Sequence, residues 1–484
     1  MESAATWRRR AEALLRQARY AEAADAFRRE AAIYRRQGDF NAARVEEAKA
    51  DRWSSDLRLF AAVPGTPLPA EARPVVPAPP AKWEPPYGCY LGAFLDRDEN
   101  LGAPFLDENG QLHRDPRRFG DLTGKHLASV FCYLSYGRPF PSRWVAWLKR
   151  RNVVPHIAWE PNQGLDAVRD DGYLRRFADD AARAECPIFL RFASEMNGDW
   201  TRYGGDPLRY KRAWGLVHQV LARQAPNVAL VWCVNAVPEP PIPLFYPGDA
   251  FVDWVGVNFY SVPFYDNDPA RSGEHANPAD MLRYVYRQYA PRKPIMVCEY
   301  GASRRSAVDG RDRSEWAALK IAQLYSALPR LYPRVKLIDI FNNDNLRHAR
   351  PGRQLNDYSV TGSDVVRDAY ARAVAPDYFL SVIRPFGGDG GPSTPARLVP
   401  LPAEGGSFPA RQGILRVSAW ARTYVPWPSV SYALDGVEFF RSRGPGTYEV
   451  DLDLATPGTR RLVATLRDDR GRVALQKQYA ISVR

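Results

Sequence analysis

The chain of 484 residues contains only five cysteines, and Cys89, Cys132, Cys186, Cys233 and Cys298 show no C-x-x-C or other metal-ligand spacing. An odd count argues against a disulfide framework, and the spacing offers no zinc site, so buried reduced thiols are expected. Lysine-rich runs are missing too. The formal charge is +12, yet the basic residues are scattered and nearly all are arginine. Nucleic-acid binding needs cations clustered against phosphates, so that class is set aside. Solubility or an anionic polysaccharide accounts for the excess equally well. No stretch reaches the roughly 18 apolar residues of a membrane span. Residues 1–10 lack the apolar core of a signal peptide, which reads as a cytoplasmic protein, or an extracellular one whose leader is missing.

What is present is globular material in quantity. Hydrophobic residues make up 45% and charged residues 25%, proportions that at this length suggest two or three domains. Ala11, Leu14 and Leu15, then Ala23, Ala24, Phe27, Ala31 and Tyr34, recur at helical spacing, so residues 1–60 read as a helical segment. Two of its helix starts are similar to those of tetratricopeptide repeats. They lie about 20 residues apart rather than 34, so one degenerate repeat plus a helix is the most that fits. These helices are expected to pack on the next domain or on another subunit, as a structural cap or as a surface for protein contact. Residues 61–86, rich in Pro and Ala, read as an extended linker.

Residues 87–386 alternate between two periodicities. Strands are predicted at 87–94, 128–134, 153–159, 187–193, 228–234, 253–258, 294–299 and 336–341, with amphipathic helices at 142–151, 173–185, 207–224, 278–289 and 314–329. Eight strands with helical crossovers predict an α/β fold closed as a (β/α)8 TIM barrel. An open doubly wound sheet would call for a glycine-rich phosphate turn after the first strand, and none is there. A Gly/Pro linker at 387–396 introduces alternating strands over 397–484, which resemble an immunoglobulin-like β-sandwich. Its Trp420, Tyr424 and Trp427 offer rings for sugar stacking or for internal packing.

Two glutamates stand out against this frame. Glu195 follows the fourth predicted strand, and Glu299 ends the seventh. On a barrel, both belong to the face that carries active sites, opposite each other across the mouth. Such a pair suits retaining glycoside hydrolysis, where carboxyl groups about 5–5.5 Å apart act as proton donor and nucleophile. Structural salt-bridge partners are the alternative.

Three ordered segments carry a resemblance. They are Arg191-Phe-Ala-Ser-Glu-Met-Asn-Gly-Asp-Trp200, Tyr246-Pro-Gly-Asp-Ala-Phe-Val-Asp-Trp-Val-Gly-Val-Asn-Phe-Tyr260 and Lys293-Pro-Ile-Met-Val-Cys-Glu-Tyr-Gly301. Over roughly residues 86–380 the chain resembles glycoside hydrolase family 26, the β-mannanases and their relatives. The resemblance implies Glu195 as general acid/base, Glu299 as nucleophile, Tyr260 as a hydrogen-bond donor to that nucleophile, and Arg191 as the arginine beneath the site. A core aromatic and a plain ion pair are the alternatives for Tyr260 and Arg191. Trp159 and Trp200 are candidate sugar platforms, and Trp232 and Asn235 match a Trp-Ser-Pro-Asn-like segment; packing is the alternative for each. Asn197 either bonds a sugar hydroxyl or turns its loop.

The chain also departs from the family pattern. Ser194 stands where a histidine usually precedes the acid/base, Glu160 replaces the histidine of Trp-His-Pro, and Phe341-Asn-Asn-Asp344 lies where a tryptophan is common. These changes imply an altered sugar preference, with Glu160 selecting a different hydroxyl pattern or perturbing Glu195. The resemblance implies a polysaccharide or oligosaccharide substrate and requires no cofactor and no metal. A same-clan hydrolase acting on β-glucan, xylan or galactan is one alternative, and a non-catalytic glycan-binding scaffold is another.

Overall fold

A computed structural model of the chain describes residues 2–63, 80–383, 397–402, 406–425, 428–444 and 446–484. They form two compact units, one joining both ends of the chain and the other holding the central segment. Among the described residues, no helix is long and apolar enough to cross a membrane.

The chain begins with α1 (Ala4–Arg16), α2 (Tyr20–Arg36) and α3 (Phe40–Trp53). Ser3 and Asp39 cap the first and third by accepting from the backbone N–H groups of Thr6 and Ala42. Their apolar stripes meet in a small core of Ala11, Leu14, Ala23, Ala26, Phe27 and Ala50. The helical segment expected to run to residue 60 stops at Trp53. Ser54 turns extended, and Asp56–Val63 forms strand β1.

Eight parallel strands of the central unit build its barrel: β2 (Cys89–Phe94), β3 (Ser129–Ser135), β4 (Val154–Glu160), β5 (Ile188–Phe192), β6 (Val228–Asn235), β7 (Trp254–Ser261), β8 (Ile295–Ala302) and β9 (Val335–Phe341). Each pairs with the next, and β9 pairs back onto β2 from Leu337↔Tyr90 to Phe341↔Phe94, which closes a (β/α)8 TIM barrel. Strands covered on both faces read as near-continuous apolar runs, which is why they were visible in the sequence. The crossover helix Gly172–Arg183 shows how the outer layer is fixed. Asp171 accepts from the N–H groups of Tyr173 and Leu174, and Leu174, Phe177, Ala178 and Ala181 form its buried stripe. The helix expected over 278–289 is broken at Leu282 into Pro278–Met281 and Arg283–Tyr289.

The tail adds β10 (Arg397–Pro400), β11 (Ser407–Ala410), β12 (Gly413–Arg422), β13 (Ser429–Leu434), β14 (Val437–Arg443), β15 (Val450–Leu454), β16 (Gly458–Arg467) and β17 (Val473–Val483). Two sheets result, ordered β10-β1-β12-β15 and β11-β17-β16-β13-β14. Strand β1 therefore lies between β10 and β12, antiparallel to both. Its Leu57, Leu59 and Ala61 share a core with Val417, Ala419, Tyr432, Leu452, Leu466 and Ile481. The first three residues of the predicted linker 61–86 thus belong to this strand. Residues 64–79, the linker 387–396 and Trp427 lie outside the described residues.

The helices pack on this sandwich. Tyr20 stacks on Trp53 and meets Tyr424 at a centroid distance of 4.0 Å, and Arg422 pairs with Asp51. Tyr424 also donates to Asp468 at 2.6 Å, and Trp420 is buried, so internal packing is the role these two rings take.

Candidate active site

Glu299, on β8, points into the barrel mouth and is 6% exposed. Three side chains hold its carboxylate. Arg191 on β5 donates from Nη2 to Oε1 at 2.6 Å, Tyr133 on β3 donates to the same oxygen at 2.8 Å, and Tyr260 on β7 donates to Oε2. Desolvation of their hydroxyls and the Glu299 charge push both phenols well above their usual range, although the Tyr133 ring is 37% exposed, and keep them protonated donors. Arg191 is fully buried and lies over the rings of Phe131 and Tyr133. Close packing of this wall relies on Gly301, where a Cβ would stand 2.9 Å from the Tyr358 ring that packs on Tyr260.

Glu195 sits just past β5 and is dressed differently. Trp200 donates from Nε1 to its Oε2 at 2.7 Å, while Asn258 and Asn235 donate to Oε1 at 2.9 and 3.1 Å. Trp200 can fold back over the carboxyl because residue 198 is glycine: a Cβ there would collide with the indole. Burial, then the Glu299 charge, hold the Glu195 carboxyl above the ordinary glutamate range, against the three hydrogen bonds that favour its ionised form.

Asn258 joins the two halves. Its Nδ2 serves Glu195, while its Oδ1 accepts from Arg191 Nη1 at 3.2 Å, and Arg191 in turn holds Glu299. Beneath Arg191 lies a fully buried pair, with His156 Nδ1 2.9 Å from Asp339 Oδ2. Burial, seconded by the Arg191 charge, lowers His156, and burial raises Asp339, so both shifts favour the uncharged forms. Glu299 is the direct ion-pair partner of Arg191, at 2.6 Å.

The structure brings together Glu195, Glu299, Tyr260, Arg191, Trp200 and Asn235, and places four other candidates elsewhere. Trp159 is fully buried and stacks on Phe177 at 4.1 Å, with its Nε1 donating to Tyr173, so it is a packing residue rather than a sugar platform. Trp232 is equally buried, edge-on to Tyr246 and Tyr289. Strand alternation turns both rings toward the helix layer instead of the mouth. Asn197 spends its amide on the loops: Nδ2 donates to the carbonyls of Asn235 and Pro238, and Oδ1 accepts from the Asn235 N–H. Glu160 accepts from Ser194 and Tyr203 with both oxygens, so the structure ties its carboxylate to the turn before Glu195. By contrast, Trp200 is 43% exposed beside the acid/base candidate.

Two members of the site escaped the sequence reading. Tyr133 and Asn258 each carried a signal. Tyr133 is a polar ring two positions after Phe131 near a strand end, and Asn258 is a lone amide two positions before Tyr260, on the same strand face.

Residues 161–274 match the profile of glycosyl hydrolase family 26. The chain is similar to a β-1,3-xylanase, TXYA, of a Vibrio species, with 34% identity over 80 residues, 16% of this chain and 17% of the relative. It is also similar to endoglucanase H of Acetivibrio thermocellus, with 22% identity over 242 residues, 45% of this chain and 25% of the relative. The chain thus spans a quarter or less of the length of these two relatives. Among solved structures, a Cellulomonas fimi endo-β-1,4-mannanase double mutant aligns over 82% of this chain and 94% of its own, at 16% identity and a TM-score of 0.41.

Proposed function

Since the chain is a divergent member of glycosyl hydrolase family 26, we propose that it is a retaining hydrolase of a β-linked polysaccharide or oligosaccharide. The observation that carries this reading is the contrast between its two carboxyl groups. Glu299 is paired with Arg191 and aimed by two phenols, while Glu195 is half-buried, raised and tied to the same arginine through Asn258. Environments that separate two carboxyl groups in this way assign the acid and the nucleophile. Glu195 donates its proton to the departing glycosidic oxygen as Glu299 attacks the anomeric carbon. Glu195 then draws a proton from water, which breaks the glycosyl–enzyme ester. Trp200 offers an exposed ring on which the sugar next to the scissile bond can stack.

The test is reducing-end release from mannan, β-1,3-xylan, mixed-linkage glucan and an acidic exopolysaccharide, with wild type and Glu299→Ala side by side. Wild type is expected to release ends from at least one polymer and to keep the anomeric configuration. Glu299→Ala is expected to lose activity by about 10⁴-fold or more, with partial rescue by azide. Wild-type turnover in Glu299→Ala would refute the assignment. Binding without release across the panel would favour a glycan-binding scaffold.

A further inference from the structure

The chain makes an unusual turn where it leaves β5. Ala193 and Glu195 adopt φ of 48° and 58°, a left-handed conformation that neither residue favours, with Ser194 between them. A turn of this kind persists only where its surroundings over-determine it, and here each polar group of the backbone is held. The Ala193 carbonyl accepts from Tyr210 at 3.2 Å, and the Glu195 N–H donates to the Cys233 carbonyl at 2.9 Å. Ser194 is held by Glu160, at the end of the neighbouring strand β4. Oε2 of Glu160 accepts the Ser194 N–H at 3.1 Å, and Oε1 accepts the Ser194 hydroxyl at 2.7 Å. The Tyr203 hydroxyl closes the ring, 2.6 Å from Glu160 Oε2 and 2.8 Å from the Ser194 carbonyl oxygen.

We propose that Glu160, acting with Ser194 and Tyr203, is the positioning device for the acid/base, working through the turn and not through the sugar. The proposal rests on the reading of Glu195 as acid/base. Ser194 and Glu160 are the two places where the chain departs from the family's histidines, and the structure makes them hydrogen-bond partners. The two departures are thus one exchange: a carboxylate with two acceptor oxygens matches a serine that offers two donors. A carboxylate accepts both, whereas an amide offers a single acceptor oxygen. Loosening the turn displaces the Glu195 carboxyl from the departing oxygen, and a shift of about 1 Å in a catalytic group is worth about a hundredfold in rate.

The test separates proton donation from binding and folding. Glu160→Gln, Ser194→Ala, Ser194→Thr and Glu195→Ala are assayed on phenyl and dinitrophenyl β-glycosides of the sugar released in the panel above. Dinitrophenolate departs without protonation; phenolate does not. For Glu160→Gln, kcat/KM on the phenyl glycoside is expected to fall about a hundredfold, while the dinitrophenyl value stays within about threefold of wild type. Ser194→Ala is expected to follow the same pattern with about a tenfold loss, and Ser194→Thr to recover it; this series carries the test if Glu160→Gln does not fold. Equal losses on both substrates, or no loss on either, overturn the proposal. If Glu160→Gln behaves in this way while Glu195→Ala retains its leaving-group dependence, only the positioning role fails. If Glu195→Ala itself shows no leaving-group dependence, the acid/base reading fails and the proposal with it.

Discussion

Trp200 reports on how Glu195 is tuned. Its indole N–H favours the ionised carboxyl, whereas burial and Glu299 favour the protonated one. The protonated carboxyl is the form that starts the reaction, so removing a donor to the ionised form extends activity to higher pH. A hydrogen bond to a charged group is worth about 1.5–3 kcal/mol, and about 1.4 kcal/mol corresponds to one pH unit. Trp200→Phe keeps an aromatic platform and is expected to move the alkaline limb of kcat/KM upward by about one unit. An unmoved or lowered limb in a pH–rate profile would detach that limb from Glu195. Asn235 and Asn258 are poorer probes, because each also serves a second partner.

At the scale of elements, the first barrel loop is tied down by a buried histidine. Phe105–Leu106 pairs with Leu112–His113 in a short hairpin. His113 Nδ1 lies 3.0 Å from Asp96, just past β2, and its Nε2 lies 3.2 Å from Asp107 in the hairpin turn. Burial opposes a charge on His113, but Asp96 and Asp107 overcome it and lift its pKa to about 9. A raised pKa means that the folded form binds the proton more tightly. The contribution to stability is full below about 6.5, the unperturbed value, and is lost as pH rises from there to about 9. Wild type is therefore expected to lose thermal stability between pH 6 and pH 9 more steeply than His113→Gln. Amide exchange in residues 105–113 should quicken over the same interval. Parallel stability curves for the two proteins would remove His113 from the account.

At the scale of the whole molecule, the N-terminal segment completes the β-sandwich. Strand β1 supplies backbone pairing to β10 on one side and β12 on the other, and Leu57 and Leu59 are fully buried in the shared core. A chain starting at residue 64 would open that sheet at its middle and expose two new edges. It is expected to lose protection in the amides of β12 and to show no cooperative melting of residues 397–484. Adding a peptide of residues 1–63 should restore both. Full protection of β12 in the shortened chain would show that β1 is dispensable.

The barrel was legible because its signals are local. Buried parallel strands read as short apolar runs, amphipathic helices lie between them, and the ends of those runs put Glu195 and Glu299 at one face. The family likeness rests on the same short segments. What tertiary structure decided is whatever depends on a partner distant in sequence. Residues 56–63 followed a helix and preceded a Pro-rich stretch, and their strand character depends on β10 and β12, more than 300 residues away. Trp159, Trp232 and Trp200 are the same residue type on or after barrel strands, and only the packed barrel turns two toward the helices and one toward the mouth. The clearest case is Glu160. Sequence supplied an unexpected carboxylate beside the site, and folding took up both its oxygens with Ser194 and Tyr203, because hydrogen-bond partners are chosen in space and not along the chain.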